Sequence, residues 1–228
     1  MAGRLAVVLV SGGLDSAVVL AWMQREGFDC VALTIDYGQR HRVELECARQ
    51  LAANARVREH LVQAIDLRAV GGSALTGSEP VPKVGLSEGI PVTYVPARNT
   101  LFLSLALGLA EARGACDIAL GINAVDYSGY PDCRPAFLES FAATANLATR
   151  AGVEGAKRGD LAFRFHAPLL NLSKPQIIRL GVDLGVDFSG TSSCYDPRHD
   201  GSPCGECDSC RILAAGFAAA GLADPKVR

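Results

Sequence analysis

A glycine turn between an apolar run and a helical segment is the strongest constraint on how this chain folds. Residues 5–10 are all apolar, which is typical of a buried parallel strand. The segment 11–16 follows as Ser-Gly-Gly-Leu-Asp-Ser, in which two glycines permit a tight turn and Asp15 and Ser16 are favourable N-cap residues for a helix over 16–26. This arrangement directs backbone N–H groups and the positive end of the helix at one point, so we predict an anion site that suits pyrophosphate.

The rest of the chain alternates apolar runs with segments of helical period. The predicted strands are 5–10, 29–36, 56–62, 116–121 and 162–166. The predicted helices are 16–26, 39–54, 98–113, 135–150, 173–185 and 208–219. This alternation predicts an α/β fold with an open, doubly wound, five-stranded parallel sheet. Segment 66–96 is rich in Gly, Ser and Pro without a period, and it is expected to be a functional loop or lid, or else disordered.

Composition and charge narrow the class of protein. A chain of 228 residues suits one large α/β domain, alone or with a small appendage. The formal net charge of −2 and the pI near 6.1 are weak evidence against a nucleic-acid partner. No signal-peptide pattern opens the sequence, and the apolar stretch 101–110 is too short to span a bilayer. We therefore expect a cytoplasmic protein with no membrane partner.

Four of the eight cysteines are clustered near the C-terminus. They have the spacing of a tetrahedral metal site, namely Cys194, Cys204, Cys207 and Cys210. Four thiolates with no open position predict one structural zinc ion. An iron–sulfur cluster is the alternative, less favoured because no proline follows the last cysteine. The cluster suggests a boundary, with an α/β domain over 1–188 and a zinc-binding subdomain over 189–228.

Two cations begin predicted helices, where a positive charge is unfavourable for the helix dipole. Arg98 and Lys174 occupy these positions, and a phosphate group between them would remove the problem. Each could instead be an ordinary surface residue. Asp36, at the end of the second predicted strand, either contacts a ribose or is an ordinary strand-end residue.

A polar segment with two tyrosines follows the fourth predicted strand, at 121–134. Ligands of open parallel sheets bind beyond the carboxyl ends of the strands. The candidate substrate-binding residues there are Asp126, Tyr127, Tyr130, Asp132 and Arg134. Aromatic rings, carboxylates and an arginine would suit a flat, guanine-like ring with a carboxylate substituent. The segment could also be a surface loop without function.

The segment 11–16 is neither a Walker A motif nor a G-x-G-x-x-G motif. Two glycines alone could also form a tight connection between a strand and a helix that has no function. The complete motif resembles the pyrophosphate loop of the ATP pyrophosphatase superfamily, whose fold is the adenine nucleotide alpha hydrolase type. The resemblance implies catalytic roles for Ser11, Asp15, Ser16, Arg98 and Lys174. It also implies that ATP contacts Val8, Leu9, Val10, Ser11, Gly12, Gly13, Leu14, Asp15, Ser16, Ala17, Val18 and Asp36. Asp15 would cap the helix or support Mg²⁺.

Further motifs narrow the resemblance. Segments 36–41, 95–99 and 121–134 and the four-cysteine tail are similar to those of the QueC family of queuosine biosynthesis proteins, the 7-cyano-7-deazaguanine synthases. Two residues depart from the family pattern: Ser192 replaces a usual Trp, and Leu213 a usual Arg. Both departures are expected to affect the packing of the zinc tail and to leave the ATP loop unaffected, with Arg211 a possible substitute for the missing arginine.

The resemblance implies a ligase that converts 7-carboxy-7-deazaguanine, ammonia and ATP into the nitrile preQ0. The carboxylate is activated first and the resulting amide second, either as adenylates or by a variant that releases ADP. A homodimer and one structural zinc ion are implied as well. Two alternatives stay open, a tRNA-modifying enzyme of the same superfamily and a non-catalytic nucleotide-binding regulator.

Overall fold

A parallel sheet of five strands, in the order β3-β2-β1-β4-β5, lies at the centre of the structure. The computed structural model describes residues 3–83, 89–125 and 129–226. The strands are β1 (Arg4–Leu9), β2 (Phe28–Asp36), β3 (Glu59–Ala64), β4 (Asp117–Ala119) and β5 (Arg164–His166). Every pair is parallel, and β1 lies between β2 and β4, so the order of strands reverses beside it. Ligands of such sheets bind at this reversal.

Helices cover both faces of the sheet. They are α1 (Leu14–Arg25), α2 (Val43–Asn54), α3 (Arg98–Arg113), α4 (Pro135–Ala148), α5 (Arg150–Ala156), α6 (Lys174–Asp183) and α7 (Asp208–Ala220). Successive residues of β1 point to opposite faces. Val7 packs in one apolar cluster with Leu103 of α3, and Val8 packs in the other with Val18 of α1 and Ile177 of α6. The predicted fold class is therefore confirmed.

Several predicted boundaries were wrong. Helix α1 begins at Leu14 and not at residue 16, and Gly13 is its N-cap. Asp15 and Ser16 therefore lie in the first turn of the helix. The helix predicted over 135–150 is two helices, since Thr149 has extended dihedral angles and accepts a hydrogen bond from Gly152 N at 3.1 Å. A threonine N-cap of this kind starts a new helix.

The described parts of segment 66–96 contain no helix or strand but are packed into the protein. Leu75 and Val81 are buried in the same apolar cluster as α3. The backbone N–H of Ala74 donates to Val92 O at 2.9 Å, which joins the two described parts. The described residues of this segment are therefore packed and not disordered. Residues 84–88 lie outside the described residues.

The C-terminal residues pack onto the α/β layers rather than standing apart. The rings of Phe188 and Phe217 meet edge to face, with centroids 5.7 Å apart, and Phe217 brings α7 against α6. The division at residue 188 stays a prediction. Of the helices in the described part of the chain, none is long and apolar enough to cross a bilayer.

A buried carboxylate with three hydrogen-bond partners joins strands β1, β4 and β5. Asp117 is 2% exposed and accepts hydrogen bonds from Arg4, Arg164 and His166 at 2.8–3.3 Å. Burial alone would raise the pKa of Asp117, but these hydrogen bonds outweigh it and hold that pKa below its usual 3.8. These hydrogen bonds tie the three strands together at the amino end of β4.

We predict that D117N lowers the free energy of unfolding on the order of 2 kcal/mol near neutral pH, because two arginines and a histidine lose their anion. A lowered carboxyl pKa contributes stability that is complete above 3.8 and is lost as the pH falls through the lowered value. Thermal melts from pH 7 down to pH 2 should therefore show the difference between wild type and D117N shrinking. D160N, at an exposed carboxylate, is the matched control. A constant difference across this range would contradict the assignment.

Candidate nucleotide site and metal centre

The turn between β1 and α1 is organised by serine hydroxyls around Gly13. Ser16 Oγ donates to Gly13 O at 2.9 Å and accepts from Ser11 N at 3.2 Å. Ser11 Oγ donates to Ser16 Oγ at 3.2 Å and accepts from Gly13 N at 3.3 Å. The expected capping by Asp15 or Ser16 was wrong, since Gly13 is the N-cap and has no side chain of its own to cap the helix. These bonds fix a loop in which the first N–H groups of α1 face the cavity.

Gly12 lets this loop pack directly against α2. Its φ is +88°, a conformation that favours glycine, and an added Cβ would lie 2.1 Å from Glu44 O. No side chain fits into that contact. The loop therefore takes its position from the backbone of α2 as well as from β1.

Lys174, the first residue of α6, reaches the loop from a separate part of the chain. Its Nζ donates to both carboxylate oxygens of Asp15, at 2.8 and 2.9 Å, and its side chain is only 5% exposed. Helix α7 leaves room for this side chain, because a Cβ on Gly216 would lie 2.5 Å from Lys174 Cγ. Lys174 therefore lies at the loop with Asp15 as a partner in this structure, and its role towards a phosphate stays a prediction.

The C-terminal segment also contacts the loop, which corrects the expectation for the two departures from the family pattern. Ser192 N donates to Gly12 O at 2.9 Å, and both Ser192 and Leu213 line the cavity at the loop. Both positions therefore lie at the cavity beside the loop and do not affect the packing of the tail alone. Arg211 does not replace the missing arginine in the cavity, because its Nη2 donates to the carbonyl oxygen of Lys83.

Arg98 enters the cavity from the start of α3. The preceding residue, Ala97, has the left-handed φ of +54°, an uncommon conformation for a residue with a Cβ. The guanidinium lies 5.9 Å from the ring centroid of Tyr37 and 6.0 Å from that of Phe102. Burial alone would lower the pKa of Arg98, yet Tyr37 and Tyr130 raise it, and burial raises the pKa of Tyr37. The Arg98 guanidinium is therefore charged beside the ring of Tyr37.

A cavity of about 210 Å³ brings these parts together. The predicted site residues that line it are Leu9, Val10, Ser11, Gly13, Leu14, Asp15, Ser16, Arg98, Tyr130 and Lys174. The predicted ATP-contacting residues that do not line it are Val8, Gly12, Ala17, Val18 and Asp36. Of these, Val8, Ala17 and Val18 are buried in the core, and Asp36 forms an ion pair with Arg42 at 2.6 Å.

The predicted substrate segment is brought to the cavity only in part. Tyr130 lines it, and its hydroxyl shares a hydrogen bond of 2.8 Å with Thr93. Asp132 is buried and accepts from Asn99 N at 3.0 Å in the first turn of α3, and Arg134 is exposed. Neither of these two lines the cavity. The predictions for Asp126 and Tyr127 fall outside the described residues.

Sequence reasoning missed several cavity residues because they lie far from the loop in sequence. The Nε2 atom of His41 lies 3.2 Å from Glu44 Oε2, and its Nδ1 atom is buried without a partner in the described part of the chain. Asn123 Nδ2 donates to Leu169 O at 3.0 Å and Tyr195 lines the cavity beside His41. The sequence offers two signals for these residues: His41, Glu44 and Asn123 follow predicted strands, and Tyr195 follows Cys194.

The four cysteines converge as predicted. Their sulfur atoms all lie within 4.8 Å of one another, with Cys194 and Cys207 at 4.0 Å and Cys204 and Cys210 at 3.9 Å. A tetrahedral ion with metal–sulfur distances of about 2.3 Å would place its sulfurs about 3.8 Å apart. The cluster can therefore hold one metal ion, and its donor set suits zinc.

We predict that G12A weakens ATP binding at least tenfold and destabilises the fold, because the new Cβ meets Glu44 O. The control is G71A, which has a similar φ of +70° but no atom within 4 Å of the added Cβ. Chemical denaturation should show a loss on the order of 1 kcal/mol for G71A and a clearly larger loss for G12A. Equal losses would mean that the contact with α2 is unimportant.

We also predict that C207S loses the bound metal and lowers the melting temperature by more than about 10 °C, since a structural metal contributes directly to folding. Elemental analysis and thermal melts measure both effects. C116S, which changes a cysteine outside the cluster, should keep about one metal ion per chain. Retention of metal by C207S would show that the cluster is not the binding site.

Comparison with known proteins agrees with this geometry. A protein named 7-cyano-7-deazaguanine synthase from Paramagnetospirillum magneticum is 59% identical over 96% of each chain, and one of the same name from Pseudomonas fluorescens (strain SBW25) is 60% identical over 96% of each chain. Among solved structures, the NMN synthetase from Francisella tularensis has the same fold, with a TM-score of 0.52 and 18% identity over 97% of this chain and 79% of that one. The family described as queuosine biosynthesis protein QueC matches residues 5–221, and the chain belongs to this family of enzymes.

Proposed function

We propose that this protein converts 7-carboxy-7-deazaguanine and ammonia into 7-cyano-7-deazaguanine at the expense of ATP. The observation that carries the proposal is one cavity with a phosphate loop, a buried lysine and an arginine among aromatic rings, in a chain similar over nearly its full length to named synthases. The relatives are named as synthases of 7-cyano-7-deazaguanine, and we propose the substrates and the steps of this synthesis.

The two ends of the cavity suit two different ligands. Near the loop, the first turn of α1 and Lys174 favour the phosphates of ATP. Around Arg98, the rings of Tyr37, Phe102 and Tyr130 offer flat apolar surfaces beside a cation. A planar heterocycle with a carboxylate would stack on the rings and pair with the guanidinium.

In the proposed reaction the substrate carboxylate attacks the α-phosphate of ATP, and pyrophosphate leaves into the loop. Ammonia then adds to the acyl carbon, and AMP and a proton depart, which gives the amide. The amide oxygen attacks the α-phosphate of a second ATP, with loss of pyrophosphate and one N–H proton, and loss of the second N–H proton and AMP then gives the nitrile. In an alternative route, the substrate is activated by phosphorylation, and ADP and phosphate are released in place of AMP and pyrophosphate.

The protein supplies position and charge. Lys174 would transfer its hydrogen bonds from Asp15 to the phosphates, where it stabilises the negative charge that develops during the attack. Asp15 and Glu44 are the carboxylates that line the cavity, and Asp15 would then be available to hold Mg²⁺. Magnesium would shield the phosphate charges.

The remaining assignments are also proposals. Zinc is proposed for the four-cysteine cluster because four buried thiolates suit it. A homodimer and a cytoplasmic location accord with the family resemblance, and a net charge of −2 favours small-molecule substrates over nucleic acid. The roles of Asp126, Tyr127, Asp132 and Arg134 in substrate binding stay predictions.

The test is turnover of 7-carboxy-7-deazaguanine with ATP and ammonia, followed by chromatography of the base and the nucleotides. We expect the nitrile together with AMP and pyrophosphate. ADP and phosphate without AMP would exclude adenylation. Absence of the nitrile, with modification of a tRNA instead, would favour the alternative enzyme of the superfamily.

We predict that K174M lowers kcat by about a hundredfold, because the cation no longer stabilises the charge that develops on the phosphates. Steady-state kinetics with varied ATP measure this effect. K157M is the control, since Lys157 is an exposed residue that does not line the cavity. Equal kcat values for the two variants would contradict the role of Lys174.

A further inference from the structure

A third hydroxyl stands beside Gly13, and it comes from the four-cysteine segment. Ser193 Oγ accepts a hydrogen bond from Leu14 N, the first N–H of α1, at 3.2 Å and lines the cavity. We propose that Ser193 binds a phosphate oxygen of the nucleotide and that the four-cysteine segment holds its hydroxyl there. This inference rests on the proposed function, because it takes the loop to be the pyrophosphate site.

The hydrogen bonds of the three hydroxyls distinguish Ser193 from the other two. The Ser11 hydroxyl donates to Ser16 Oγ, and the Ser16 hydroxyl donates to Gly13 O, so both hydrogens are used inside the loop. Ser193 only accepts, and no acceptor for its hydrogen is found among residues 3–83, 89–125 and 129–226. A hydroxyl can accept from Leu14 N and donate its own hydrogen at once. Ser193 is therefore the hydroxyl that can donate to a phosphate without breaking the loop.

The position of Ser193 suits that role. A Cβ built on Gly13 would lie 3.2 Å from Ser193 Oγ and 3.5 Å from Ser11 Oγ, so both hydroxyls lie close to the glycine. A phosphate bound at the first turn of α1 would lie next to this glycine. His41 lines the same cavity with a side chain that is 5% exposed, and its buried Nδ1 has no partner among the residues that the structure describes, which also indicates a polar ligand.

The neighbouring residues fix Ser193 in place. On one side, Ser192 N donates to Gly12 O at 2.9 Å. On the other, Cys194 is buried, and its sulfur accepts from Cys204 N at 3.3 Å within the cysteine cluster. Residue 193 is thus held between a backbone bond to the loop and a proposed metal ligand.

The test measures binding of inorganic pyrophosphate and of ATP with Mg²⁺ to the metal-loaded protein by calorimetry. Loss of one hydrogen bond to a charged group predicts that S193A binds pyrophosphate about ten- to a hundredfold more weakly. S193T and S193V have the same shape and differ in the hydroxyl, so S193T should bind at least tenfold more tightly than S193V. In turnover, the KM for ATP should rise for S193A while the KM for the deazaguanine acid changes little.

S202A is the matched control, because Ser202 lies in the same segment and its hydroxyl donates to Asp200 at 2.6 Å, away from the cavity. It should bind pyrophosphate as wild type does. Equal affinities for wild type and S193A, or for S193T and S193V, would overturn the role of Ser193 and leave the proposed function intact. Failure of the wild type to bind pyrophosphate would overturn both proposals.

Discussion

The short connection from β1 to α1, residues 10–13, is the constraint on which the site depends. At the carboxyl end of the central strand the chain must reverse direction while its N–H groups face a common point. Three distant parts of the chain hold it there: the backbone of α2 at Gly12, Lys174 at Asp15, and the segment before Cys194 at Gly12 and Leu14. The position of the loop therefore depends on these tertiary contacts as well as on its own sequence.

The two ends of the sheet serve different purposes. At the amino end of β4, Asp117 accepts hydrogen bonds from Arg4, Arg164 and His166 and so ties three strands together. At the carboxyl ends, the cationic groups of Arg98 and Lys174 are directed into a cavity. The first arrangement links three neighbouring strands, and the second places charged groups where a ligand can bind.

The parts that were predictable from sequence are those with a local cause. The apolar runs and their spacing gave the parallel sheet, and the spacing of the cysteines gave the metal cluster. Thr149 was missed because its extended dihedral angles interrupt an otherwise continuous helical pattern. Ser193 and His41 were missed because contacts between distant segments leave no local periodicity. The buried position of Asp132 was equally hidden, since a carboxylate between tyrosines and an arginine has the composition of a binding loop.

The glycine at position 216 shows a compromise between helix stability and the reach of a charged group. A glycine inside a helix costs about 1 kcal/mol relative to alanine. Helix α7 nevertheless has one where the methylene groups of Lys174 cross it, and a single methyl group there would push the lysine aside. Substitutions of Gly216 that stabilise helix α7 would therefore also shorten the distance that the Lys174 ammonium group can reach towards a phosphate.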